Sequence, residues 1–391
     1  MRNLFYLPNI TAGLVSVIIG VTSSVAIIFQ AAAAAGASPA EISSWLLALG
    51  LGMGIGCISL SLCYKIPIVI AWSTPGAALL VTSLAGVPMP EVIGSFIVSA
   101  ILVILAGSTG LFEKVMNYIP RALASGMLAG ILLQFGTNVF VAMKSQFLLG
   151  FLMFIVYLIG KRLFPRYVII LVLIFGIMIA KVGGLLHLQH LHIALSKPVW
   201  IWPKFSFSTI MSISLPLFIV SMTSQNIPGV AMIKSAGYTP KVSPIISITG
   251  VINLILAPFG GYTFNLAAIT AAICLNEEAD HNPAKRYKAA VYAGVFYLIV
   301  GLFGATIVSL FMALPSELVL VVAGLALFST IGLSLKSAME NEAHRESALI
   351  TMLITASGIS FLGVGSAFWG LIAGVLSFML LSIGREFFKR D

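Results

Sequence analysis

A chain of 391 residues that is 60% hydrophobic and 8% charged, with a mean hydropathy of +1.10, cannot fold as a soluble globule without exposing far too much apolar surface. The net charge of +9 would suit nucleic acid, but the basic residues sit in short connections between apolar runs, which excludes that partner and makes the charge a matter of topology. The cysteines Cys57, Cys63 and Cys274 form no CxxC pair and read as packing residues.

Apolar stretches of about 20 residues recur from Leu14 to Leu381, which fits α-helical spans better than barrel strands. The chain enters "NITAGLVSVIIG" after a single Arg and without a small-residue cleavage site, so the first span is expected to be retained. One crossing per apolar run gives about 14 segments and an all-α membrane protein. With the N-terminus inside, every Lys and Arg except Lys144, Lys181, Lys197 and Lys204 falls on one side, so both termini are expected in the cytoplasm.

Along the chain, Thr22, Ser23 and Ser24 interrupt the first apolar run. "GLGMGIG" (50–56) resembles a nucleotide loop only by letters; Gly52 and Gly56 are expected to permit close helix packing. "KIPIVIAWS" (65–73) is rich in β-branched residues and carries Pro67, which predicts a short extended stretch. Thr74 then caps a half-helix with Pro75 at its first position. Glu91, in "VPMPEVIGSF", is the one acid in a helix-start context that would reach inward for proton coupling, although a solvated residue is the plainer reading. "HLQHLH" (187–192) lacks a fourth ligand, and no metal site is expected.

The second half repeats the first. "TSSVAIIFQAAAAAGASP" (22–39) and "TSQNIPGVAMIKSAGYTP" (223–240) align without a gap, and an odd number of crossings between them inverts the second copy, as in secondary transporters. "TPGAALLVT" (74–82) has its counterpart in "FNLAAITAA" (264–272), which follows Pro258, Gly260 and Gly261, with Asn265 as the expected cap. Two broken elements at membrane depth imply a shared cavity, and two helix N-termini meeting there suit an anion. The expected donors are backbone N–H groups near Gly76, Ala77, Leu266 and Ala267, with Ser23, Ser24, Thr74, Gln225, Asn226, Tyr262, Thr263 and Asn265 lining the site. No acid lies clearly within a span, which also favours an anion. Nothing signals a cofactor, ATP hydrolysis or an enzyme.

The segments "AWSTPGAALL", "MLAGILLQFG", "TSQNIPGVAMIKSAGYTPKVSP", "FNLAAITAAIC", "VFYLIVGLFG" and "TASGISFLGVGSAFWGLIAG" resemble the bacterial benzoate transporter family, the benzoate–proton symporters of the BenE type. The resemblance runs through the whole chain. It implies a proton-coupled importer of benzoate in the bacterial inner membrane, related to nucleobase permeases with about 14 segments in two inverted sets of seven. By that pattern residues 1–108 and 206–314 form a core domain, residues 109–205 and 315–391 a gate domain, and segments 3 and 10 are the broken elements. Where nucleobase relatives typically carry carboxylates, this chain has Gln225, Asn226 and Asn265, and a neutral amide suits a carboxylate where Glu would repel it. Trp72, Phe259 and Phe264 are candidate walls for an aromatic ring. A homodimer is expected by analogy alone, and a carrier for another anion or a nucleobase, or a passive anion channel, are the rival readings.

Overall fold

The computed structural model describes residues 6–110, 120–165, 167–187, 189 and 191–387, with side chains described as far as residue 381. Arg166, His190 and the side chains of the basic tail (Arg385, Lys389, Arg390) lie outside that set. A bilayer offers no water to backbone polar groups, so each crossing must close its hydrogen bonds internally, and the apolar runs accordingly fold as helices.

The first run forms α1 (Leu7–Thr22) and α2 (Val25–Ala34), separated at Ser23 and Ser24. Then come α3 (Pro39–Tyr64), the three-residue strand β1 (Ile70–Trp72), α4 (Thr74–Ser83) and α5 (Met89–Ser108). Helices α6 (Arg121–Ala142), α7 (Phe147–Leu163) and α8 (Val168–Val182) complete the first half. The second half opens with α9 (Phe207–Ser235), which contains π-helical turns at Ile210–Ser214 and Met222–Asn226. It continues through α10 (Val242–Leu256), β2 (Phe264–Leu266), α11 (Ile269–Leu275) and the bent pair α12 (Tyr287–Leu302) and α13 (Gly304–Ala313). Helices α14 (Ser316–Met339), α15 (Arg345–Ala356) and α16 (Ser366–Phe387) end the chain.

Among the described residues seven helices are long and apolar enough to cross a membrane alone, and an eighth span is the pair bent by 61° at Phe303. The expected count of about 14 segments also relies on half-helices and short apolar helices that length alone does not admit.

Packing exposes the repeat. Helix α3 lies against α12 as α10 lies against α5; α1 touches α11 as α9 touches α4; α7 pairs with α8 as α15 pairs with α16. Each contact has a counterpart with the halves exchanged, and α6 packs on its own equivalent, α14. The dense contacts fall into two groups, α1–α5 with α9–α13 and α6–α8 with α14–α16, which meet mainly where α4 and α9 face α6 and where α2 faces α14.

The inverted copies join at the middle through an antiparallel pair, with Ile70 opposite Leu266, Ala71 opposite Asn265 and Trp72 opposite Phe264. These strands have exposed edges that lipid cannot satisfy. Three residues spaced four apart on one face of α3 serve the outer edge of β1: Met53 Sδ accepts from Trp72 N (3.3 Å), Cys57 Sγ from Ile70 N (3.1 Å) and Ser61 Oγ from Ile68 N (3.1 Å). On the other side Asn226 Oδ1 accepts from Leu266 N at 3.0 Å, and Asn253 Nδ2 donates to Tyr262 O at 2.8 Å. Glycine permits the close approach: a Cβ at Gly52 would overlap the Phe264 ring, and one at Gly229 would overlap Leu266.

Two local expectations are corrected. Ser73, not Thr74, caps α4, its hydroxyl accepting from Gly76 N at 2.9 Å, so Pro75 falls at the second helical position. Asn265 is a strand residue and not a cap; the half-helix starts four residues later, at Ile269, because residues 264–266 pair with β1.

Asn226 is fully buried and bridges β2, since its Nδ2 also donates to Asn265 Oδ1 at 3.2 Å. Asn226→Ala would leave the Leu266 amide without an acceptor in the interior, at a cost of about 1–3 kcal/mol. Thermal unfolding in detergent is expected to show a lowered Tm; an unchanged Tm would contradict this role.

Candidate functional site

A cavity of about 740 Å³ lies where the two helix groups meet, lined by both breaks, by both half-helices and by α6, α7, α8 and α14. Ser24 and Trp72 in its lining are buried and mark its deep end, with Thr74, Gln225 and Ala268 half-buried, whereas Lys161 and Pro165 are exposed and mark its mouth. Lys161 ends α7 and Ser337 ends α14, so the mouth opens on the face where α1 begins. At the opposite face α2 closes on α14, with Gln30 Nε2 donating to Val319 O at 3.4 Å.

The first turns of α4 and α11 meet at the deep end. Thr74 and Pro75 line it from one half, and Ala268, Ile269 and Thr270 from the other. First-turn N–H groups have no intrahelical acceptor and carry the positive end of the helix dipole, so the shared cavity predicted for the two breaks is present. The amides differ from those expected. Gly76 N is held by Ser73 Oγ, Ala77 N donates to Ser73 O (2.8 Å), Leu266 N to Asn226 and Ala267 N to Val69 O (2.9 Å). The first-turn residues that line the cavity lie one to three positions away, at Thr74 and at Ala268 to Thr270.

The polar side chains sort in the same way. Thr22, Ser23, Ser24, Thr223 and Ser224 each donate a hydroxyl to a carbonyl of the preceding helical turn, which is how a polar cluster breaks an apolar helix. Ser23 and Ser24 line the cavity with their hydroxyl protons already committed, and Ser24 Oγ also accepts the Trp72 Nε1–H at 2.7 Å. Gln225 is half-buried, lines the cavity and has no hydrogen-bond partner among the described residues. Its neighbour Asn226 points the other way, at β2. The Thr270 hydroxyl is buried beside the cavity, next to the Tyr297 hydroxyl.

Tyr262, Thr263 and Asn265 are corrected to positions behind the wall. All three are at most 1% exposed and none lines the cavity; the Tyr262 hydroxyl donates to Ser73 O at 3.1 Å. Of the candidate ring walls, only Trp72 reaches the cavity. Phe264 packs under Gly52, and Phe259 packs edge-on against Trp200, 5.3 Å between centroids. Glu91 is in the first turn of α5, outside the lining. Among the described residues no carboxylate lines the cavity, and Lys161 is the charged residue in its lining. Among the described residues no group of three or more metal-ligating side chains forms.

Sequence reasoning missed Tyr297, Thr270 and the wall formed by Ser125, Tyr157, Lys161, Ser329, Thr330, Ser334 and Ser337. A signal existed: Thr330, Ser334 and Ser337 recur at helical spacing on one face of α14.

Comparison with known proteins places the chain. Residues 4–380 match the family described as "BenE: Benzoate membrane transport protein". The chain is 48% identical over 376 residues to inner membrane protein YdcO of Escherichia coli (strain K12), covering 96% of each. It is 40% identical over 370 residues to the benzoate membrane transport protein of Acinetobacter baylyi, covering 95% of this chain and 94% of that one. Among solved structures, SLC26A9 superposes with a TM-score of 0.66 at 12% identity, over 97% of this chain and 65% of that chain. The transmembrane domain of the cyanobacterial bicarbonate transporter BicA gives 0.60 at 12% identity, over 95% and 98%. These last two show a shared fold.

The placement of residues 225 and 226 is directly testable. In a Cys63→Ser background, which removes the exposed native thiol, Gln225→Cys is expected to react with a small polar thiol reagent supplied at the mouth. Asn226→Cys is expected to stay unlabelled in folded protein, and equal labelling would refute the assignment.

Proposed function

The chain belongs to the benzoate membrane transport protein family, and from that premise we propose that it imports benzoate, or a similar small aromatic carboxylate, by proton symport with alternating access. Membership makes it a membrane transporter; the substrate, coupling and cycle are our reading. The observation that carries the reading is a cavity whose described lining holds no carboxylate and brings first-turn residues of both half-helices together with Gln225, Thr74 and Thr270. Preorganised donors without a competing carboxylate stabilise an anion and disfavour a cation. Trp72 supplies an aromatic face at the same end, and 740 Å³ leaves room for one ring with water.

In this reading α1–α5 with α9–α13 are the core, and α6–α8 with α14–α16 are the gate, dividing the chain at 1–108, 109–205, 206–314 and 315–391. With both termini cytoplasmic the mouth faces the cytoplasm, so the conformation is inward-open and the contact of α2 with α14 is the closed outer gate. Outward opening requires that contact to part while the mouth between Lys161 and the core closes. Glu91 could assist proton movement only from outside the substrate cavity. A homodimer remains part of the proposal by analogy.

Uptake of labelled benzoate into proteoliposomes, with and without an inward proton gradient and with salicylate, uracil and sulfate as competitors, tests this. Saturable, gradient-stimulated uptake blocked by salicylate alone is expected. Gln225→Leu, which removes a charge-assisted hydrogen bond without stranding a protein partner, is expected to raise the half-saturating concentration about ten- to a hundredfold at unchanged Tm. Gradient-independent uptake contradicts symport, and competition by uracil or sulfate contradicts the substrate class.

A further inference from the structure

The mouth of the cavity differs from its deep end. Its gate wall is a row of hydroxyls with one cation: Lys161 Nζ of α7 donates to Ser329 Oγ of α14 at 2.8 Å, and Ser125 Oγ of α6 donates to Ser337 Oγ of α14 at 3.0 Å. Ser334 and Tyr157 line the same wall, while Ile19, Ile269 and Ile273 line the opposite, core side. A lysine ammonium has three donors, and Ser329 is its single hydrogen-bond partner among the described residues. Among the described residues it makes no ion pair, and no carboxylate lines the cavity to neutralise it.

Lysine near a helix C-terminus on a cytoplasmic face ordinarily serves the helix dipole and the topology. That accounts for a basic residue at the end of α7, and Arg162 meets the same need without lining the cavity. It does not account for Lys161 being turned across the mouth onto a hydroxyl of α14.

We propose that Lys161, positioned by Ser329 and beside Tyr157, forms a second carboxylate station at the mouth of the cavity, distinct from the half-helix site at its deep end. The proposal rests on the transport reading and deepens it. The chemistry selected is a monocarboxylate with an apolar body: the charge meets the ammonium and gate hydroxyls, and the body lies against the isoleucines of the core. Exposure to solvent keeps the station weak, as release requires. Because the station bridges gate and core, it exists only while the mouth is open, so it acts on exchange with one compartment.

The test is transport kinetics in right-side-out and inside-out membrane vesicles, with wild type, Lys161→Gln, Lys161→Arg and Ser329→Ala. Lys161→Gln is expected to raise the half-saturating benzoate concentration about five- to tenfold when substrate is supplied at the face bearing the mouth, and to leave the other face within about twofold. Lys161→Arg is expected to keep most of the wild-type affinity, and Ser329→Ala to shift it about two- to threefold in the same direction. Benzamide, the uncharged isostere, is expected to compete equally well against wild type and Lys161→Gln. An unchanged constant at both faces, or an equal loss at both faces, overturns the station while leaving transport intact. Absence of saturable benzoate movement in the wild type at either face overturns the transport reading and the station with it.

Discussion

Irregular backbone in the middle of a membrane must find its hydrogen bonds within the protein, and the rest of this structure is organised around that constraint. Six strand residues, Ile70–Trp72 and Phe264–Leu266, pair with each other and still leave two unpaired edges. The face of α3 carrying Met53, Cys57 and Ser61 covers one, and Asn226 and Asn253 serve the other half. Once the strands are held, each chain can restart as a helix at membrane depth, and two helix N-termini confront a single cavity. The cavity is therefore a by-product of the way the breaks are satisfied.

The same constraint divides labour between neighbouring amides. Within the π-helical turn at Met222–Asn226 the backbone gains a residue relative to α-helical register, and consecutive side chains lie about 100° apart around a helix axis. Asn226 thus turns inward to β2 while Gln225 turns to the cavity, and the hydroxyls of Thr223 and Ser224 return to carbonyls of the preceding turn. Among the described residues the lining holds one cation, Lys161, and no carboxylate, a charge balance that favours anions.

Much of this was legible in the sequence. The alignment of 22–39 with 223–240 disclosed the repeat, and "KIPIVIAWSTPG" disclosed an extended stretch leading into a half-helix. The illegible parts share one cause. A polar residue at a break can serve the backbone or face the cavity, and composition does not distinguish the two. Asn265 carries good capping chemistry yet sits in a strand because its partner strand is almost two hundred residues distant in the chain. Ser24 looks like a donor for a ligand, but its hydroxyl donates to Gly20 O and accepts from Trp72. Lys161 was read as topology, since its contact with Ser329 depends on how α7 packs against α14.

The most direct test of the account is a cryo-EM map of the protein with benzoate in the inward-open state. The account predicts density in the cavity with the carboxylate within hydrogen-bonding distance of Gln225 and the first turn of α11, and the ring beside Trp72. A carboxylate directed away from both half-helices, or benzoate bound outside this cavity, would contradict it.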